Sequence, residues 1–462
     1  MTRYDDAPPA QLAVPGTPAY QEATAVFNLA APARPQAAVT ARTVAEVRAA
    51  VREAAARGLP VRVHTTGHAS GARRPVTAGL LIRTRIGGGV RIDPERRVAH
   101  IPAGTTWGEV AAAAAPHGLA AAHGSAAGVG VVGYLLGGGV SFYGRHTGLA
   151  ANTVRAITLV TAGGQQVRAS ADGDQKLWWA LRGGGGGFGV VTGVEIGLFP
   201  VTRVVTGAAY WPAALAPRVL DVWRAWAADA PRRVTTSLRL MRLPPVPGVP
   251  AVLAAGPVVC VDGAVLAATE RDVPAAERAA RELLAPLRAL AAPLLDTWAL
   301  TGPAGVLHAH MDPAGPVPFI GDHLLLGDLD AAGADAFLGA AGEDSGSPLA
   351  LATLRQLGGA FVGAPPDGGV LSRTGAAFAY MGSGPPFGPV TVAGLVHHRT
   401  VVRAALAPWD TGRTLPSLVE DAGAPQHHLD AGAVAAVDRV RDRIDPHGLF
   451  TQDITPGATA RR

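Results

Sequence analysis

The chain is 462 residues long, enough for two to three domains with a large core. Hydrophobic residues make up 48% and charged residues 16% of it, and the net charge of +5 comes from scattered arginines, Lys176 being the only lysine; a basic stripe with interleaved aromatics, as nucleic-acid binding needs, is absent. Cys260 is the single cysteine, which excludes an intrachain disulfide and a thiolate metal cluster, and the longest apolar passage, 128–140, is glycine-broken and too short for a bilayer.

In chain order, residues 1–34 are Ala/Pro-rich and read as an irregular arm; MTRYDDAPPAQLAVPG lacks the basic-then-apolar layout of a signal peptide, so the expectation is a cytoplasmic protein without nucleic-acid or membrane partners. Thr43-x-x-Glu46 is a capping box opening a helix on Val44, Val47 and Val51, with Gly58 as its C-cap. PVRV (60–63) reads as a strand running into a glycine loop, HTTGHASG (64–71). Strands are expected at 80–84 and 97–101, and Thr106-x-x-Glu109 opens a second helix that ends at Pro116-His117-Gly118. A second glycine-rich stretch covers 123–139, and 154–161 with 165–170 make a hairpin around Ala-Gly-Gly.

Residues 178–192, WWALRGGGGGFGVVT, contain a G-x-G-x-x-G at Gly184, Gly186 and Gly189. The flanks run helix, loop, strand, the reverse of a Rossmann fingerprint, and no Gly-Lys-Ser/Thr follows. A close approach of the backbone to a ligand or to another chain segment explains five glycines better than a flexible linker between a Trp-rich helix and an apolar strand. Beyond residue 203 the pattern becomes a second α+β domain: strands near 204–211, 233–241, 251–261, 349–357 and 375–381, helices near 219–228 and 275–291, and proline loops between them. Asp430 caps a last helix that stops at DPHGLF (445–450).

The stretches LPVRVHTTGHASG (59–71), IPAGTTWGEV (101–110), GVGVVGYLLGGGVSFYGRHTGLAAN (128–152), LVTAGGQQV (159–167), LWWALRGGGGGFGVVTGVEIGLFPV (177–201) and RVRDRIDPHGLF (439–450) resemble, in order, the FAD-linked oxidoreductases of the berberine bridge enzyme-like branch, with a vanillyl-alcohol oxidase or PCMH-type flavin domain. The resemblance implies an α+β fold: an arm (1–34), a two-subdomain PCMH-type FAD-binding domain (35–202), a substrate domain with an antiparallel sheet covered by helices (203–429), and a C-terminal segment (430–462) returning to the flavin domain. It places FAD against Thr66, Gly67, His68, Ala69, Ser125, Gly130, Gly133, Gly138 and Val191, where glycine-rich turns can offer backbone N–H groups to the pyrophosphate. His68 stands at the family histidine that commonly bonds the flavin C8-methyl group, although the motif here is Thr-Thr-Gly-His-Ala; with no cysteine before Gly128, bicovalent attachment is not expected.

A flavin above a substrate needs a base for the departing proton. Candidates are Tyr380 in AAFAYMG, His397 and His398 in LVHHRT, and Tyr143 in SFYGRHTG; the alternatives are a core aromatic for Tyr380, a solvated strand edge for the histidines and a buried hydroxyl bonding backbone for Tyr143. No H-E-x-x-H, C-x-x-C or G-x-S-x-G is present, and Asp430 beside His427 and His428 reads as a helix cap, so no metal is expected. Three activities remain open: an oxidase that dehydrogenates a hydroxyl- or amine-bearing small molecule, in bacterial secondary metabolism, and passes electrons to O₂; a redox-neutral cyclase or rearrangement enzyme; and a drug-sequestering flavoprotein. Neither substrate nor oligomeric state is legible.

Overall fold

The computed structural model describes residues 10–460; the first nine residues of the expected arm lie outside that range. What is described of the arm is not wholly irregular: Pro18–Thr24 form a helix capped by Thr17. β1 (Ala37–Ala41), β2 (Val61–His64) and β3 (Leu80–Thr84) make a parallel sheet in the order β1-β3-β2. Between β1 and β2 runs α1 (Val44–Ala56), whose Thr43 hydroxyl accepts from the Glu46 N–H and whose Val47 and Val51 are buried, as the capping box and the apolar spacing predict.

A five-stranded antiparallel sheet follows: β4 (Arg91–Asp93), β5 (Val98–Pro102), β6 (Val154–Val160), β7 (Gln166–Ser170) and β8 (Val190–Gly197), in the order β4-β5-β8-β6-β7. Its helices are α2 (Trp107–Ala114), α3 (Val131–Leu136) and α4 (Gln175–Leu181), the first opened by the Thr106–Glu109 box, the last by Asp174.

The third sheet is the largest. β9 (Arg203–Pro212), β10 (Val234–Met241), β11 (Val258–Ala267), β12 (Ile320–Leu326), β13 (Leu351–Gln356) and β14 (Phe378–Gly384) lie in the order β9-β11-β10-β13-β14-β12, every pair antiparallel. Four helices cover one face: α5 (Ala216–Ala228), α6 (Val273–Leu290), α7 (Ala331–Ala341) and α8 (Val392–Leu406). Side chains alternate between faces. Leu324, Leu326, Phe378 and Tyr380 join the helix-side core, whereas Leu325 and Ala379 join the core of the five-stranded part.

The expected strand at 251–261 is displaced: 251–254 is a short helix and the strand runs from Val258 to Ala267, because proline 257 cannot donate to a ladder. β12, α7 and α8 were not anticipated. Their segments, IGDHLLL, AAGADAFLGAA and VAGLVHHRTVVRAAL, carry too little periodic contrast between faces.

Arg145 joins the sheets. It is buried and donates to the carbonyls of Val234, Ala230 and Leu357. The last helix, α9 (Ala431–Ile444), is capped by Asp430, which accepts from the Ala433 N–H.

Candidate active site

The loop after β2 turns at Gly67, which has φ +73°; a Cβ there would stand 2.6 Å from Val26 Cα, so both conformation and space demand glycine. Phe27 donates its N–H to the Thr66 carbonyl, and its ring stacks on His68 with centroids 3.8 Å apart. His68 Nδ1 is 2.8 Å from Thr66 Oγ1, while Nε2 is buried without a hydrogen-bond partner among the described residues. Burial pulls the His68 pKa down to about 4 against the opposing pull of Asp312, so the ring is neutral at neutral pH. The N–H groups of Thr66, Gly67, His68 and Ala69 have no backbone acceptor among the described residues. Buried polar atoms are ordinarily paired, so the orphaned imidazole Nε2, beside a run of backbone N–H groups without a protein acceptor, fits a ligand with anionic and polar edges.

The second loop faces the first. A Cβ on Gly128 would lie 3.9 Å from His68 Cε1, and one on Gly130 3.2 Å from Thr65. Ser125 is half-buried in this loop and Gly133, on α3, has open space where a side chain would be. Thr66, Gly67, His68 and Ala69 thus meet the segment of Ser125, Gly130 and Gly133. Gly138, at φ +96°, lies beyond α3 with its Cβ direction closed by Leu371. Val191 is buried in β8 opposite Leu159 with its side chain in the core, which leaves only its backbone to offer a ligand.

The five glycines 183–187 are engaged by protein. Residues 183 and 185–187 have φ between +79° and +97°, and added Cβ atoms would stand 2.7 Å from Ala458 Cβ at 185, 2.5 Å from the Asp453 carbonyl at 186 and 2.5 Å from Ile454 at 187. Arg441 of α9 reaches in and donates to the carbonyls of Gly184 and Gly186, and the Thr455 N–H donates to Gly185. At 185–187 what comes close to this backbone is the chain's own C-terminal segment, and at 183 it is Leu371.

On the uncovered face of the large sheet, opposite the helices, stands a set of polar side chains that the sequence reading missed. Asp262 on β11 is fully buried; its Oδ2 is 2.8 Å from Arg239 Nε and 2.7 Å from His310 Nδ1. Burial alone would raise the Asp262 pKa, but Arg239 and His310 outweigh it and hold the group ionised. The His310 ring packs edge-on to Phe142 of the flavin-side loop, centroids 5.7 Å apart, and the Arg355 guanidinium lies 4.0 Å above the same Phe142 ring. Tyr134 of α3 is half-buried, and its hydroxyl is buried without a partner among the described residues. The available signal was period-2 polarity inside apolar strands: Ser237 and Arg239 in SLRLM, Cys260 and Asp262 in VVCVDGAV.

The candidate bases fall elsewhere. Tyr380 points into the helix layer, edge-on to Phe337, and shares with His398 of α8 a small cleft also lined by Asp322 and Leu395. His398 is on a helix, not a strand edge, and burial lowers its pKa. One residue of parity separates Tyr380 from the face that carries Arg355 and Ala379. Tyr143 is on the flavin side but is buried and donates its hydroxyl to the Pro303 carbonyl, and burial raises its pKa. The structure therefore does not bring Tyr380 and His398 to the paired loops, and it gives Tyr143 a packing partner.

Comparison with known proteins decides the cofactor: residues 35–170 match a family described as an FAD binding domain. This part of the chain binds FAD. Over 170 residues the chain is 35% identical to (R)-6-hydroxynicotine oxidase of Paenarthrobacter nicotinovorans, covering 37% of each protein, so the chain matches little more than a third of that relative's length. In three dimensions it is similar to BBE-like 1 of Physcomitrella patens, with TM-score 0.77, 19% identity and 98% of both chains covered. It is likewise similar to glucooligosaccharide oxidase of Acremonium strictum, a structure described as carrying a 6-S-cysteinyl, 8α-N1-histidyl FAD, with TM-score 0.74, 17% identity and 97% of both chains covered. Over its whole length the chain shares the fold of these solved structures. In the flavin domain, free backbone donors at 66–69 and the open side of Gly133 suit a pyrophosphate and its ribityl chain better than they suit a protein contact.

Proposed function

We propose that the chain is an FAD-dependent oxidoreductase that removes two hydrogens from a hydroxyl- or amine-bearing small molecule, with O₂ as the final acceptor. The observation that carries the reading is the loop 66–69: a neutral, half-buried imidazole whose buried Nε2 has no partner, with N–H groups around it that meet no protein acceptor among the described residues. Thr66, Gly67, His68 and Ala69, with Ser125, Gly130 and Gly133, hold the cofactor. His68 is the residue to bond it covalently through the nitrogen that lacks a partner. Bound FAD supplies a two-electron oxidant. The chain's part is to shut water out with Phe142, Tyr134 and the sheet face, and to hold the substrate between that face and the flavin loops.

The names of the relatives support a small-molecule substrate: one is an oxidase of 6-hydroxynicotine, another of glucooligosaccharides. The test is anaerobic incubation of the purified holoprotein with alcohols and amines made by its neighbouring genes, followed in the visible flavin spectrum. Bleaching by a compound, with peroxide formed when air is admitted, is the expected result. Transformation or tight retention of a compound with the flavin left oxidised would overturn the oxidase reading in favour of redox-neutral chemistry or sequestration.

A further inference from the structure

We propose that His310, held by Asp262, is the proton acceptor of the reaction, an inference that rests on the oxidoreductase reading above. Three observations converge on it. The first is geometry: the Asp262 carboxylate lies 2.7 Å from His310 Nδ1, which fixes the tautomer with the proton on Nδ1 and a lone pair on Nε2. The second is reinforcement. Arg239, itself buried, places Nε 2.8 Å from the same carboxylate oxygen and donates from a terminal nitrogen to the His310 carbonyl at 2.9 Å, so one side chain positions both partners. The third is location: Asp262 is fully buried, yet the His310 side chain keeps 11% of its surface exposed, on the sheet face that meets the flavin domain through Phe142. The electrostatic pull of Asp312, in the same loop, on His68 agrees with this location.

A histidine whose only task was packing would not need a buried ion pair behind it. Burying Asp262 and Arg239 together is costly in free energy, and the arrangement is that of a base oriented by a carboxylate. In the step, the substrate O–H or N–H bond breaks and its proton passes to His310 Nε2. The adjacent C–H bond breaks with its electron pair, which the two-electron oxidant that bound FAD would supply takes as hydride. A C=O or C=N bond forms, and one proton and one hydride leave the substrate. Asp262 and Arg239 are positioning residues; the imidazolium that forms lies against the Asp262 carboxylate.

The experiment uses the holoprotein with His310→Gln, His310→Ala and Asp262→Asn variants. In wild type, diethyl pyrocarbonate is expected to acylate His310, read as a mass increase on its peptide; a His310 that stays unmodified while exposed histidines react would overturn the proposal without any substrate. Flavin reduction by an alcohol or amine that bleaches wild type should slow about 100-fold or more in His310→Gln at unchanged flavin content, and imidazole should restore part of the rate in His310→Ala. Asp262→Asn should slow reduction comparably; should that variant not fold, His310→Gln decides. Equal rates in wild type and His310→Gln overturn the dyad alone. If no compound bleaches wild type, the oxidoreductase reading falls and the dyad with it, so the two failures are distinguishable.

Discussion

His68 shows how far single residues were readable. Its place in a glycine loop after a strand was legible from the sequence, because glycine at φ +73° and a polar neighbour leave few alternatives, and its tie to Thr66 and Phe27 emerged only from packing. His68→Ala should leave the fold intact and release the flavin on acid denaturation, which the absorbance of the supernatant measures. A flavin that stays with the precipitated variant would mean attachment elsewhere. Tyr380 shows the limit. Its strand was expected, but a period of two makes the face of a tyrosine depend on register, which partner strands set and composition does not. Tyr380→Phe should therefore leave the rate of flavin reduction within about 2-fold of wild type, an effect well under 1 kcal/mol, whereas a 100-fold loss would return the tyrosine to the chemistry. Asp262, Arg239 and His310 were missed because their partnership spans three separate segments and no local spacing announces it.

At the scale of elements, caps and glycine turns were the legible parts. The boxes at Thr43 and Thr106 and the cap at Asp430 form as read, and Asp174 caps α4 in the same local way. The five-glycine loop was legible as a close approach but not as to what approaches. It is α9 and the chain after it, clamped by the buried Arg441. Gly187→Ala puts a side chain at φ +81° and 2.5 Å from Ile454, which should cost about 1–3 kcal/mol in chemical denaturation. Arg441→Met strips the donors from the carbonyls of Gly184, Gly186 and Ala458 and leaves Asp438 without its ion pair, with an expected loss of about 3–5 kcal/mol. If the loop were a flexible linker instead, neither variant would change the denaturation midpoint. β4, α3, β12, α7 and α8 were illegible; α7 and α8 carry little contrast between their faces, and β12 is an edge strand whose place only β14 sets.

For the molecule as a whole, protonation couples distant regions. Burial lowers His64 to about 4, His323 to about 3 and His428 to about 4. A histidine whose pKa drops on folding binds fewer protons folded than unfolded below about pH 6.5, so its contribution to stability is complete above that value and is lost as the pH falls toward the folded pKa. Glu420 works in the other direction: burial, then Asp322 and Asp312, push it up to about 8, so between its unfolded value and 8 it costs stability as the pH rises. Thermal stability should fall sharply from pH 6.5 to 4, read as a drop in melting temperature. Glu420→Gln should flatten the decline on the alkaline side, and a variant curve that parallels wild type from pH 5 to 8 would contradict that assignment. No helix of the described residues is long and apolar enough to cross a membrane. The arginine clamps at Arg145 and Arg441 tie the large sheet and the C-terminal segment to the flavin domain, so cofactor binding should raise the melting temperature of the entire chain.

The central claim is that this domain holds FAD through the loop at His68. The most direct measurement is acid precipitation of the purified protein followed by proteolysis at arginine and mass analysis of the peptide VHTTGHASGAR, residues 63–73. The account predicts one flavin per chain and a peptide heavier by the mass of FAD less two hydrogens. A chain that binds no flavin, in the pellet or in solution, even after incubation with FAD, would contradict it.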